Sequence, residues 1–222
     1  MAHTKQDTSI IFCAHPDDEV LGVGGTIAKY AKEGKRTICV IFSKGEGSHP
    51  WMKEKHMHDI RMQESLVAGN LVGVSETIFL GLRDGKLMED IKQTTVDSRI
   101  KAIIERYKPQ KIFTHDQDDF IYKDHRAVHL AVMTAIDSLI KKGTFTGDVY
   151  TFNIWFMNLR KRNLPKLVVD ISSTFKQKRK ALKAFGSQRL ALFQLIPFVY
   201  AKAFFDGIDS DVKYAETFYK IR

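Results

Sequence analysis

Only two cysteines occur in the 222 residues, Cys13 and Cys39, and both stand in apolar, strand-like runs. They read as buried thiols in a reducing compartment, which sets a disulfide framework aside. The N-terminus, MAHTKQDTSI, lacks the apolar stretch of a signal peptide. No apolar run approaches the roughly 20 residues needed to span a bilayer. Internal repeats, low-complexity linkers and helix-turn-helix, zinc-finger or RNP signatures are also missing. The expectation is a soluble cytoplasmic protein with one domain over residues 1–222. A chain of this length that is 44% hydrophobic can bury a full core.

Positive charge is what the chain has in excess. Lys and Arg number 35 against 26 Asp and Glu, a net +9. Such an excess suits an anionic membrane surface, a phosphorylated substrate or a nucleic acid, or it is a solvated basic surface. Much of it lies late, in RKRN (160–163) and KQKRKALK (176–183).

Strand-like and helix-like segments alternate along the first two thirds. TSIIFCA (8–14), RTICVIF (36–42), ETIFL (76–80) and KIFTH (111–115) read as strands. Residues 25–34, 53–72, 95–107 and 124–141 read as helices. In 95–107, Val96, Ile100, Ile103, Ile104 and Tyr107 share one stripe. Loops fall at 43–52 and 81–86. Later, GDVYTFNIWF (147–156) and KLVVDI (166–171) look like strands and 174–188 looks helical. This order predicts an α/β fold: an open, mostly parallel, Rossmann-like sheet with helices on both faces. Such sheets bind ligands beyond the carboxyl ends of their strands. The apolar run RLALFQLIPFVYAKAFF (189–205) either covers the core or forms an apolar lip beside the site.

Directly after the first strand stands AHPDDEVLGVGG, with His15, Asp17, Asp18 and Glu19 within five positions. Its glycines do not fit G-x-G-x-x-G, because Ile27 takes the last glycine position, and the acids would repel a pyrophosphate. Close packing of helix on sheet is their expected role. The acids could merely cap and charge a helix N-terminus, but a metal suits the whole cluster better. His15 and Asp18, three apart on a tight turn, can face one ion, and a catalytic zinc site takes about three protein ligands. DHRAVH (124–129) offers His125 and His129, four apart on one helical face. Arg126 stands where H-E-x-x-H needs Glu, which argues against a metalloprotease of that type. Asp17, between the two ligands of the first turn, can serve as general base toward the attacking water.

AHPDDE followed by GG, with DHRAVH about a hundred residues on, resembles the PIG-L/LmbE-like zinc de-N-acetylases. RMQES (61–65), FLGLRDG (79–85), VDIS (169–172), KALKAFGSQ (180–188) and KYAETF (213–218) extend the resemblance over nearly the whole chain. The resemblance implies removal of an acetyl group from an N-acetylglucosamine-type glycoside, nucleotide sugar or glycolipid. It implies His15, Asp18 and His125 as ligands of Zn2+ (with Fe2+ or Mn2+ as other candidates), Asp17 as general base and Arg61 as a residue of the sugar site. His129 falls outside that ligand set and reads as a helix-face histidine; Arg61 could otherwise be a surface arginine paired with Glu64.

One position departs from the family pattern: many members read His-x-Asp-His, and Tyr122 stands where the first histidine would be. A phenol can still donate to an oxyanion, and His115 or Asp17 could then protonate the leaving amine. The implied partner is a small acetylated amino sugar, phosphorylated or lipid-linked in some forms, with at most peripheral membrane contact and no nucleic acid. The oligomeric state stays open. Two other readings compete: a catalytically impaired relative that keeps its metal, and a basic protein that binds nucleic acid or an anionic surface.

Overall fold

Strands that are apolar on both faces need cover on both faces, and the first two are buried almost throughout. The computed structural model describes residues 6–48, 54–119, 121–154 and 163–222. The elements are β1 (Thr8–Cys13), α1 (Asp18–Lys32), β2 (Arg36–Ser43), α2 (Glu54–Val72), β3 (Glu76–Leu82), α3 (Leu87–Gln93) and α4 (Val96–Tyr107). They continue with β4 (Lys111–His115), α5 (Lys123–Lys141), β5 (Asp148–Phe152), β6 (Lys166–Asp170), α6 (Phe175–Leu182), α7 (Arg189–Ile208) and β7 (Ala215–Lys220).

The strands form one sheet in the order β3-β2-β1-β4-β5-β7-β6. β1 to β5 pair in parallel, and β7 pairs antiparallel with both β5 and β6. The sheet is therefore open and mostly parallel, as expected. Alternate residues of β1 feed opposite cores: Ile11 and Cys13 one, Ile10 and Phe12 the other. β1 lies between β2 and β4, so its crossovers leave in opposite directions. A crevice opens beyond the carboxyl ends of β1 and β4 at that switch point.

Several boundaries differ from the sequence-based expectation. α1 begins at Asp18, seven residues before the predicted start at Gly25. The glycines that disguised its first turns are there for proximity. A Cβ on Gly22 would lie 2.4 Å from Phe152 Cδ2, and one on Gly25 2.6 Å from Ile171 Cδ1. The helix accepts roughly 1 kcal/mol of lost propensity per glycine to lie that close to the sheet. α3 is only 7 residues long, too short to show a helical period. β7 was not predicted, and it wedges between two predicted strands. The expected strand over 147–156 ends at Phe152, and residues 155–156, with most of RKRN, lie outside the described residues. Cys13 and Cys39 are free and buried. Among the described residues no helix is long and apolar enough to cross a membrane.

A buried ion pair ties α1 to the far strands. Glu216 on β7 accepts the N–H groups of Gly25 (3.0 Å) and Thr26 (2.8 Å). Lys178 on α6 donates to Glu216 (2.7 Å) and to the Leu21 carbonyl (2.8 Å). Both charged groups are buried and multiply bonded, the condition under which an internal pair is tolerated.

Substituting Gly25 by Ala tests this packing. An added methyl raises helix propensity, yet here it meets Ile171. We expect net destabilisation of about 1–3 kcal/mol, read as a lower denaturant midpoint. A stabilised variant would show that the helix-to-sheet distance is not set by Gly25.

Candidate active site

The chain has four residues, 14–17, in which to leave β1 and enter α1. That turn holds one backbone outlier: Asp17 has φ 139°, a conformation that costs a non-glycine residue about 1–3 kcal/mol. Bonds on every side fix it. The Asp17 N–H donates to Glu19 Oε2 (3.0 Å), and its carbonyl accepts from Val20 (3.0 Å) and Leu21 (2.9 Å). The His15 N–H donates to Asp18 Oδ2 (2.8 Å). Arg61, reaching over from α2, donates to the Pro16 carbonyl and to Asp17 Oδ2 (3.1 Å). Arg61 is buried, and Glu64 instead accepts from Ser187. Arg61 is not the surface arginine that a helix pairing with Glu64 would have made it.

His15, Asp17, Asp18, Arg61, Tyr122 and His125 all line one cavity of about 370 Å³, within the range of small-molecule sites. Asp84, Gly85 and Gln188 extend its polar side; Leu21, Ile154 and Leu195 make an apolar wall. Ligand atoms of His15, Asp18 and His125 lie within 4.8 Å of one another, as do those of His15, Asp84 and Asp124. His15 belongs to both groups. Its Nδ1 is 3.6 Å from Asp18 Oδ2, and its Nε2 is 3.1 Å from Asp84 and 3.5 Å from Asp124. Asp124 also accepts the N–H groups of Gly85 (2.7 Å) and Leu87 (3.3 Å), which anchors the loop after β3.

His129 does not join these groups. It is buried, with Nδ1 2.8 Å from the His115 carbonyl, the helix-face role expected for it. His115 lies behind His125, stacked on it at 3.9 Å between ring centroids. Its Nε2 receives the Ala14 N–H (3.0 Å) and lies 3.0 Å from Asp18 Oδ2. Burial, then the neighbouring His125, push its pKa down to about 4. That value and its place behind His125 make it a poor source of a proton for a leaving group. The Tyr122 ring sits 5.0 Å from the His125 ring and 6.0 Å from that of His15.

Sequence reasoning missed Asp119 and Asp84. Asp119 Oδ2 is 2.6 Å from His125 Nδ1. That contact fixes the tautomer with Nδ1 protonated and leaves Nε2 facing Asp18 Oδ1 at 3.6 Å. The signal was in the text, an acid run (DQDD) six residues before the histidine, but loop acids are too common to be singled out. Asp84 accepts from Gly47 N–H (3.2 Å) besides facing His15.

The electrostatics ask for a cation. Burial disfavours charge on His15, yet hydrogen bonds to Asp124, Asp18 and Asp84 outweigh it and raise its pKa well above the ordinary value. Burial also opposes the Asp18 carboxylate, and the imidazoles of His125, His115 and His15 hold its pKa well below the usual range. Asp17 moves the other way: burial raises it, Arg61 opposes, and Asp18 adds to the rise. The donor set fits a divalent metal: one imidazole pre-set by a carboxylate, one carboxylate kept ionised, and a second imidazole among three acids.

Comparison with known proteins agrees with this geometry. Residues 10–136 match the family model described as GlcNAc-PI de-N-acetylase. A protein described as a probable N-acetyl-alpha-D-glucosaminyl L-malate deacetylase 2, from Bacillus cereus, is 27% identical over 191 residues, covering 83% of this chain and 85% of that one. A 1D-myo-inositol 2-acetamido-2-deoxy-alpha-D-glucopyranoside deacetylase from Thermobifida fusca is 31% identical over 147 residues, 55% of this chain and 51% of the other. Among solved structures, the N,N'-diacetylchitobiose deacetylase of Pyrococcus horikoshii superposes with a TM-score of 0.81 at 23% identity, covering 97% of this chain and 84% of that one. GalB, a 4-carboxy-2-hydroxymuconate hydratase from Pseudomonas putida, superposes at 0.79 with 19% identity over 98% and 97%. At such identities the structural matches speak for the fold alone, and the hydratase shows that this fold hosts more than one reaction.

Glu19 supplies a pH test of the site's support. Burial and then Asp17 push its pKa up to about 7, while Ser65 Oγ donates to it at 2.8 Å. The folded state thus holds this proton more tightly than the unfolded chain. The stability it contributes is full below about pH 4.5 and is lost as pH rises through about 7. In the metal-free protein, Glu19→Gln should gain on the wild type by up to roughly 3 kcal/mol across that window. Denaturant unfolding at pH 5, 6, 7 and 8 reads the difference. A gap that does not change with pH would mean that Glu19 is ionised in the fold throughout.

Proposed function

The chain belongs to the GlcNAc-PI de-N-acetylase (PIG-L) family, and on that premise we propose that it is a metal-dependent hydrolase that removes the N-acetyl group from an N-acetylglucosamine-type sugar. The observation that carries this reading is the cluster of His15, Asp18 and His125 opening on a cavity beside Asp17. The related deacetylases act, by their descriptions, on N-acetyl-glucosaminyl malate and on an inositol 2-acetamido-2-deoxy-glucopyranoside, and an N-acetylated amino sugar with a small or lipid-linked, phosphorylated aglycone is the substrate class proposed here.

His15, Asp18 and His125 would hold the metal, with zinc as the proposed ion and Fe2+ or Mn2+ as the alternatives. A bound divalent ion supplies Lewis-acid polarisation of the acetyl carbonyl and acidifies water toward neutral pH. Asp17 accepts the proton of the attacking water as the new C–O bond forms. Its raised pKa suits it to take that proton and then to release it. As the C–N bond breaks, Asp17 delivers the proton to the amine nitrogen, leaving acetate and a free amino sugar. Arg61 holds the Asp17 carboxylate in one orientation and borders the space for the sugar. Tyr122, whose ring lies beside His15 and His125, donates its phenolic hydrogen to the oxyanion of the tetrahedral intermediate. Asp119 keeps His125 Nε2 aimed at the cluster. The apolar wall of Leu21, Ile154 and Leu195 lowers the local dielectric around these charges. The cytoplasmic assignment belongs to the same proposal and rests on two buried free thiols, which suit a reducing compartment.

Three variants test the roles. Asp17→Asn should keep its metal and lose about 10²–10⁴-fold in kcat. His125→Ala should lose the metal, measured as bound zinc per chain after dialysis. Full retention there would move a ligand to another residue. Tyr122→Phe should lower kcat more than it raises KM, since an oxyanion exists only near the transition state. Turnover is read as acetate release from a panel of N-acetylated amino sugars. A metal-loaded wild type that releases no acetate from any of them would make the chain the impaired relative.

A further inference from the structure

α7 is apolar on two sides. Leu192, Val199 and Ala203 point into the core, while Leu195 forms part of the cavity wall. The opposite side is exposed: Leu190 at 85%, Phe193 at 78%, Phe204 at 47% and Ile208 at 54%. With Pro197, also exposed, these residues step by three, four, seven and four, so they lie on one stripe of the helix. Rows of large exposed apolar side chains mark interaction surfaces. The run 189–205 thus both covers the core and presents an apolar face.

Basic side chains stand on the neighbouring helix. Lys176, Arg179 and Lys180 of α6, and Lys183 directly after it, are all exposed. α6 lies against α7, with Phe175 edge-on to Tyr200 at 4.9 Å and the Arg179 guanidinium 5.0 Å from the Tyr200 ring centre. Arg189, exposed at the start of α7, adds to them. Arg189 directly precedes Leu190 in the chain, so the most exposed end of the stripe begins beside a cation.

We propose that this α6–α7 face seats the protein on an anionic lipid bilayer, with Leu190 and Phe193 entering the headgroup boundary and the basic row meeting the phosphates. Aromatic and aliphatic side chains flanked by Lys and Arg on a surface helix have the composition of an interfacial membrane contact. Charge decides between a bilayer and a second copy of the chain. Two copies would bring two basic rows, each on a chain of net +9, toward one another. An anionic leaflet turns the same charge into attraction, roughly fivefold in partitioning per basic side chain. Gln188, just before α7, and Leu195, in its second turn, line the cavity, so docking would hold the cavity next to lipid-linked sugars. That last consequence rests on the deacetylase reading; the docking itself does not.

The test uses the whole protein with sedimented vesicles of phosphatidylcholine alone and with 30% phosphatidylglycerol. The expected result is binding at least tenfold tighter to the anionic vesicles. It should weaken at least tenfold when salt is raised from 0.1 to 1 M, where the screening length falls from about 10 to about 3 Å. Leu190→Glu/Phe193→Glu, and separately charge reversal of Lys176, Arg179, Lys180 and Lys183, should each reduce binding tenfold or more. Both sets are exposed, and an unchanged melting transition checks their folding. A wild type that binds neither vesicle overturns the proposal. So does a wild type that self-associates and becomes monomeric in the Leu190→Glu/Phe193→Glu variant without ever binding lipid. Vesicle binding by a protein that releases no acetate would leave the docking standing and defeat the deacetylase reading. Acetate release from soluble sugars without vesicle binding would do the reverse.

Discussion

Around His15 the carboxylates of Asp18, Asp84 and Asp124 all come within 3.6 Å of a ring nitrogen. Negative charge of that density, mostly buried, is unstable without a positive partner. The rest of the site can be read as the means of assembling it. β1 delivers His15 and Asp18 on one turn, the β3 loop brings Asp84, and α5 brings Asp124 and His125. Arg61 closes the other flank by binding both the Pro16 carbonyl and Asp17. The metal-free protein answers the demand with a protonated imidazole, and a divalent ion would answer it more fully. Asp17 belongs to the same economy of charge: its pKa is raised while that of its neighbour Asp18 is lowered, because Asp18 has the imidazoles and Asp17 has chiefly one arginine.

Much of this was legible in the sequence. The carboxylate pair after an apolar strand, and an Asp-His at the start of a helix that follows another, are local patterns that only need the parallel-sheet rule to be brought together. His15, Asp17, Asp18, Arg61, Tyr122 and His125 all line one cavity, whereas Glu19, His115 and His129 stand outside its lining. What was not legible depended on tertiary distance. Asp119 and Asp84 look like ordinary loop acids until the fold aims them at His125 and His15. The close packing expected of the α1 glycines is present, but the early start of that helix stayed hidden because the side chains they pack on, Phe152 and Ile171, lie more than a hundred residues away. α3 is shorter than the period by which helices are recognised. For Arg61 a surface pairing with its i+3 neighbour Glu64 stood as the alternative to a place in the site, and the structure gives each of the two a distant partner instead.

The same sheet supports a hydratase and several deacetylases elsewhere, so what the fold contributes is a place rather than a reaction. The place is the switch point between β1 and β4, where two sets of loops diverge and leave a crevice. Identity of reaction comes from side chains around it. Tyr122 is informative here, because it changes the hydrogen-bonding group beside the cluster while leaving its His and Asp members intact. In the reaction proposed above, a phenol in that position would leave proton transfer to Asp17.

The position of β7 bears on how the chain comes to be folded during synthesis. β1 to β5 can pair as they leave the ribosome, each beside a strand already made. β6 cannot, because its neighbour in the finished sheet is β7, which follows it by some 45 residues. Glu216, the partner of Lys178 and the acceptor for two N–H groups of α1, travels on that late strand. Until it arrives, the helix that begins at Asp18 rests on the sheet without its buried anchor. A nascent chain halted before residue 215 would thus expose an unfilled strand position next to β5 and an unpaired lysine beneath α1, the kind of surface on which chaperones act and aggregation starts.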